Sequence, residues 1–94
     1  MIVLKFGGSS VADAACMRQV AGLVAAALPK ASLVVLSAMG KTTNGLFAAA
    51  KTAEGGDLAG AMERQRALMA AHRLAASDLF GGAVPESLDV ALTD

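Results

Sequence analysis

Lys5-Phe6-Gly7-Gly8-Ser9-Ser10-Val11-Ala12-Asp13 stands between an apolar run, Met1-Ile2-Val3-Leu4, and an alanine-rich segment with helical spacing. The order reads as a strand, a glycine-hydroxyl turn and a helix start, which is the layout of an anion site. Two adjacent glycines let the main chain approach a phosphate without a Cβ in the way, and the free N–H groups of the helix start carry partial positive charge. Lys5 adds a full charge, and the Ser9 and Ser10 hydroxyls add donors for phosphate or carboxylate oxygens.

Working outward, the first strand is expected at Ile2 to Phe6, mostly apolar as in a parallel sheet covered on both faces. A helix should open near Asp13, a good N-cap, and stop before Pro29. Cys16, Val20, Leu23, Val24 and Ala27 recur along it at helical spacing and predict its core face. A second apolar strand follows at Ser32 to Ser37. A loop is expected from Ala38 to Asn44, then a short helix from Gly45 to Ala53. Strand, helix, strand, helix implies a right-handed crossover and a parallel sheet. Both polar glycine loops would then lie at the carboxyl ends of the strands, where open α/β sheets bind ligands. Beyond Glu54-Gly55-Gly56, a long helix is expected from about Asp57 to Leu79, with Leu58, Met62, Leu68, Met69, Ala76 and Leu79 as its apolar set, ended by Gly81-Gly82. Pro85 fits the first turn of a last helical segment running through Leu88 to Leu92.

Size and composition narrow the functions. With 94 residues the chain is at most one domain, and such a domain buries only about 60 to 65% of its unfolded surface. Eight basic and eight acidic residues cancel, so no long-range field draws the chain to nucleic acid or an anionic membrane. Three Phe with no Trp or Tyr offer little for base stacking. The lone Cys16 excludes an internal disulfide and is expected as a buried structural thiol. No signal peptide is recognisable, because Lys5 interrupts the first apolar run, and the uncharged stretch from Gln19 to Pro29 is too short to span a bilayer. These readings point to a cytoplasmic, reducing location. Hydrophobic residues make up 55% of the chain, but much of that is alanine, which favours helix and fills little volume. The expectation is a helix-rich domain with a thin core of Val, Leu, Ile, Met and Phe.

Two nucleotide motifs fail on spacing. Gly40-Lys41-Thr42 after an apolar strand invites a phosphate-loop NTPase reading, but the glycine required five residues earlier is Val35, inside the strand. After Gly7-Gly8 come Ser9, Ser10, Val11 and Ala12, so the third glycine of a dinucleotide fingerprint is missing. What remains is a pair of loops suited to phosphate or carboxylate, one with Lys5 and one with Lys41, Thr42, Thr43 and Asn44. The bland reading of each loop alone is a capped helix start. Lysine at the end of an apolar strand argues for more, since its charge needs solvent or a counter-ion and a bound anion would supply one.

Lys-Phe-Gly-Gly-Ser-Ser-Val-Ala-Asp at 5–13 resembles the Lys-Phe-Gly-Gly-Thr-Ser-Val signature of aspartate kinases, with Ser9 in place of threonine. Val-Leu-Ser-Ala-Met-Gly-Lys-Thr-Thr-Asn at 35–44 is similar to their second block. The two blocks stand in the family's order and near its spacing. This resemblance implies an amino-acid-kinase-like, three-layer α/β/α fold with parallel strands, of which residues 1–94 would be the N-terminal part of the catalytic domain. It implies transfer of the ATP γ-phosphoryl group to the β-carboxylate of L-aspartate, the first step towards lysine, threonine and methionine, with Mg2+ accompanying ATP. Lys5 would stabilise the transferring phosphoryl group, while Phe6, Gly7, Gly8, Ser9 and Ser10 would line the phosphate path. Thr43 would contact aspartate, with Ser37 and Asn44 beside it.

The resemblance also implies what this stretch lacks: the nucleotide-binding half, the downstream glutamate that meets the substrate amine, and the C-terminal ACT domains. The expectation is a fragment, inactive alone, that exposes apolar surface and self-associates or belongs to a homo-oligomer. A glutamate, acetylglutamate or carbamate kinase type is the alternative within the superfamily, and a non-catalytic helical interaction module the alternative outside it. His72 is expected as a partly packed helical residue. Glu63, Arg64 and Arg66 are expected on a solvated face, and Met62 and Met69 as gap-filling core or interface residues.

Overall fold

A computed structural model describes residues 2–93, so Met1 and Asp94, the ends of the apolar run and of the domain expected above, lie outside the described residues. The chain divides into two compact units, Met1–Lys41 and Thr42–Asp94. Its class is the expected one, helix-rich α/β with parallel strands.

The first unit runs β1 (Ile2–Phe6), a 3-10 turn (Gly8–Val11), α1 (Ala14–Ala27) and β2 (Ala31–Leu36). The strands pair in parallel, with Lys5 opposite Val35 and Phe6 opposite Leu36, and the register slips once between Ile2 and Val3. Asp13 begins α1 as foreseen. Its backbone is extended and its carboxylate accepts the Cys16 N–H at 2.8 Å, which satisfies one of the orphan donors of the first turn. Val11, Ala14 and Val20 are buried. Of the expected α1 core face, Cys16, Val24 and Ala27 are half-buried and Leu23 is exposed, so Cys16 is not the buried thiol expected. One helix over two strands covers only a narrow strip of α1, and a face of five residues is wider than that strip.

The second unit comprises α2 (Thr42–Glu54), α3 (Leu58–Leu79) and α4 (Glu86–Thr93). The loop expected through Asn44 ends at Lys41 instead, and Thr42, Thr43 and Asn44 form the first turn of α2. Polar residues with short side chains suit that turn, where the amides lack intrahelical partners. Gly45, which suggested a helix boundary, sits inside α2 facing Leu68 of α3. A Cβ there would meet Leu68 Cδ2 at 2.6 Å. Asp57 caps α3 by accepting the Gly60 N–H at 2.9 Å, and its far end is closed by Phe80 N–H to Ala76 and Gly82 N–H to Ser77 carbonyl bonds. Pro85 lies just before α4 rather than in its first turn, and its carbonyl accepts from the Leu88 and Asp89 amides. Arg73 fastens α4 to α3, with its guanidinium 3.5 Å from the Asp89 carboxylate and donating to the Leu92 carbonyl at 2.9 Å.

The core corrects the expected list. Among the described residues the buried apolar side chains are Val11, Ala14, Val20, Ala61, Ala75 and Ala76, with no Leu, Ile, Met or Phe. Each element has one covered face at most, so only side chains near its contact line lose water. The large residues stand at the margins: Leu28 is 61% exposed and Phe47 72%. Of the α3 apolar set, Leu58 and Met62 are exposed, whereas Leu68, Met69 and Leu79 are half-buried. Glu63 and Arg66 pair at 3.5 Å on an exposed face as expected, and His72 is half-buried with its Nδ1 2.7 Å from the Leu68 carbonyl. No helix among the described residues is long and apolar enough to cross a membrane.

Candidate functional site

In the first unit the site begins with the pleat of β1. Successive side chains point to opposite faces, and Leu4 and Phe6 are half-buried while Lys5 between them is exposed. The strand thus anchors itself by its apolar members and hands its one charge to solvent at the carboxyl end. Gly7 remains extended, with φ −77° and ψ 177°. The chain then tightens into the 3-10 turn, where the Ser10 N–H donates to the Gly7 carbonyl at 3.0 Å. Ser9 is exposed and Ser10 half-buried. Neither hydroxyl has a hydrogen-bond partner among the described residues.

The loop after β2 comes directly alongside. The Ser37 N–H donates to the Phe6 carbonyl and the Gly40 N–H to the Gly8 carbonyl, each at 3.0 Å. The second bond joins the two glycine turns main chain to main chain at one edge of the sheet. Their approach is close enough that a Cβ on Gly8 would lie 2.6 Å from the Gly40 carbonyl oxygen and 3.3 Å from that of Ala38. Gly7 is the opposite case, since a Cβ there would meet nothing within 4 Å. One glycine therefore permits the loops to touch, and the other leaves an open face beside Lys5. Gly40 takes φ +47° and turns the chain towards Lys41, which is exposed. The sequence reading gave Gly40 no role; a glycine four residues past a strand end was the available signal.

Asp13 and Cys16 form a small electrostatic unit at the start of α1. The Cys16 backbone N–H holds the Asp13 carboxyl below the usual carboxylate range, and the Cys16 thiol adds to the effect. In return the Asp13 carboxylate, as acceptor of the thiol, pushes Cys16 above the ordinary thiol value, and partial desolvation adds to it. This keeps the thiol protonated and the carboxylate occupied with the helix start.

The other expected site residues belong to the second unit. Thr43 and Asn44 are exposed in the first turn of α2, and Thr43 lines a shallow apolar recess with Leu46, Phe47 and Ala50. Thr42 borders a cavity of about 270 Å3 with Leu46, Gln65, Leu68, His72 and Leu92 among its lining. Among the described residues no group of three or more His, Cys, Asp or Glu side chains converges to hold a metal ion.

Residues 1–87 match the sequence profile of the amino acid kinase family. The chain belongs to that family. It is also similar to three chloroplastic aspartokinases of Arabidopsis thaliana: 53% identical to aspartokinase 1, 51% to aspartokinase 2 and 55% to aspartokinase 3, each over 51 residues. Those residues are 54% of this chain and 9% of each relative, so the match spans less than a tenth of the aspartokinases' length. In this chain the joined glycine turns carry a strand-end lysine, two hydroxyls without a hydrogen-bond partner among the described residues and a glycine with nothing within 4 Å of its Cβ position.

Proposed function

We propose that this chain provides the phosphoryl-binding portion of an aspartate kinase. The reaction breaks the bond between the γ-phosphorus of ATP and its bridging oxygen. A new bond forms between that phosphorus and a β-carboxylate oxygen of L-aspartate, giving 4-phospho-L-aspartate and ADP for lysine, threonine and methionine biosynthesis. The observation that carries the reading is the 3.0 Å bond from Gly40 N–H to the Gly8 carbonyl, which joins the turn after β1 to the turn after β2 within the first unit, next to Lys5. Similarity to the aspartokinases supports aspartate as the acceptor.

In this reading Lys5 neutralises charge on the transferring phosphoryl group, and the open face at Gly7 admits the phosphate to the main chain. Phe6 seats the turn, while Gly8, Ser9 and Ser10 line the phosphate path with amides and hydroxyls. Thr43, with Ser37 and Asn44, serves the aspartate side. Phosphoryl transfer depends chiefly on aligning two anions and screening the charge between them, and lysine and hydrogen-bond donors supply that. ATP brings Mg2+ with it, and no residue here is assigned to the metal. The cytoplasmic setting and a homo-oligomeric parent belong to the same proposal. The setting rests on the unpaired thiol of Cys16, which suits a reducing compartment.

The test is an amide-shift titration of this chain with ATP and with L-aspartate. Shifts at Lys5, Gly7 and Gly8 with ATP, and at Thr43 with L-aspartate but not L-glutamate, are expected. Silence at all four positions would identify a scaffold whose glycine turns serve only as caps. In a coupled assay with ATP, Mg2+ and L-aspartate, no turnover is expected from this chain alone.

A further inference from the structure

We propose that Lys41 is a second phosphate-binding cation of this site, gripping the terminal phosphates of a nucleoside triphosphate together with Lys5. The inference rests on the kinase reading and adds to it a ligand contact from the second loop.

The geometry begins with the joined turns. Gly40 is tied to Gly8 by a 3.0 Å main-chain bond, and Lys41 follows one Cα step later, about 3.8 Å on. The two backbones are in contact with no room for a side chain between them, as the 2.6 Å approach at Gly8 shows. An anion therefore cannot enter between the loops and must approach from the open side at Gly7. Both lysines are exposed, and the flexible four-carbon stem of Lys41 gives its ammonium reach around the turn it follows.

Charge points the same way. Neither Lys5 nor Lys41 has an ion-pair partner among the described residues. Asp13, the one acid within residues 1–41, is engaged by the amide of Cys16. Two like charges are thus carried by two turns that the fold fastens together, and neither is ion-paired among the described residues. A triphosphate, with several charges spread over adjacent phosphates, suits a pair of point cations better than one alone. An α-carboxylate carries a single charge and gains less from the second cation.

The experiment compares wild type, Lys41→Gln, Lys41→Arg and Lys5→Gln in amide-shift titrations with ATP, inorganic triphosphate, AMP and L-aspartate. Lys41→Gln is expected to weaken ATP and inorganic triphosphate by roughly five- to tenfold and to flatten their salt dependence. AMP and L-aspartate should change little, and Lys41→Arg should keep most of the affinity. If wild type binds with shifts at Lys5 and Gly8 but Lys41→Gln binds triphosphate equally well, the role of Lys41 is refuted and the kinase reading stands. If Lys41→Gln weakens L-aspartate instead, its ligand is a carboxylate and the proposal is wrong. Absence of any ATP response at Lys5 to Gly8 in wild type refutes the kinase reading itself.

Discussion

Replacing Gly8 by alanine tests the joining of the two turns directly. The added methyl would sit 2.6 Å from one carbonyl oxygen and 3.3 Å from another, both main-chain atoms that no rotamer change can move aside. Restoring ordinary contact requires the turns to part by about 0.8 Å, which strains the loops and lengthens the Gly40 to Gly8 hydrogen bond. Overpacking of this kind costs about 1–3 kcal/mol, and the weakened hydrogen bond about 1 kcal/mol more. The expected loss is roughly 2–4 kcal/mol, a large share of the stability of so small a chain. Gly7→Ala is the internal control. It has the same chemistry one residue away, φ −77° and nothing within 4 Å, so it should be neutral or stabilising by about 0.4–1 kcal/mol. The chain has no Trp or Tyr, so urea unfolding is followed by far-UV circular dichroism, with amide exchange at Ser37 and Gly40 reporting the joined edge. Equal stability and equal protection in the two variants would refute the reasoning.

Two further outcomes follow from the structure. The carboxyl of Asp13 is depressed, so its contribution to the α1 start is present above the unfolded carboxylate range and is lost as pH falls through its lower folded value. The thiol of Cys16 is raised, so its contribution is present below the ordinary thiol value and is lost as pH rises through its higher folded value. Amide protection of α1's first turn should therefore fall at both extremes. In Cys16→Ser the alkaline loss should vanish and the acid loss remain, and an unchanged alkaline limb would count against the pairing. The second outcome concerns association. Leu28, Leu33, Leu36 and Phe47 are all more than half exposed, and both strands of the two-stranded sheet have an open edge, features that favour self-association. Light scattering should give a mass that climbs with concentration; a monodisperse monomer throughout would contradict it.

Much of the local structure was legible in the residues. Ile2 to Phe6, the Asp13 cap, the start of α3 near Asp57 and its end near Gly81 follow from strand pattern, capping chemistry and helix length, all of which are written within a few positions of one another. What stayed hidden depends on distant partners. Gly45 looked like a helix boundary because glycine is a poor helix former, whereas its neighbour across the helix pair, Leu68 of α3, lies 23 positions away. The core was misjudged for a related reason: periodicity marks which residues share a face but not how wide a strip of that face a neighbour covers, so Leu23 was expected inside and Ala14 was overlooked. At the candidate site, Lys5, Gly7 and Gly8 stood out by composition. The bond between Gly8 and Gly40 could not, since it links turns 32 positions apart through main-chain atoms that every residue possesses.

That fastening has an implication for how the segment can change. The two bends are tied by peptide groups, Ser37 to Phe6 and Gly40 to Gly8, rather than by side chains. Guest preference and scaffold are therefore separable here: side chains around the rim can be rewritten to welcome another acceptor while the frame that presents them keeps its dimensions, provided Gly8 and Gly40 are left alone.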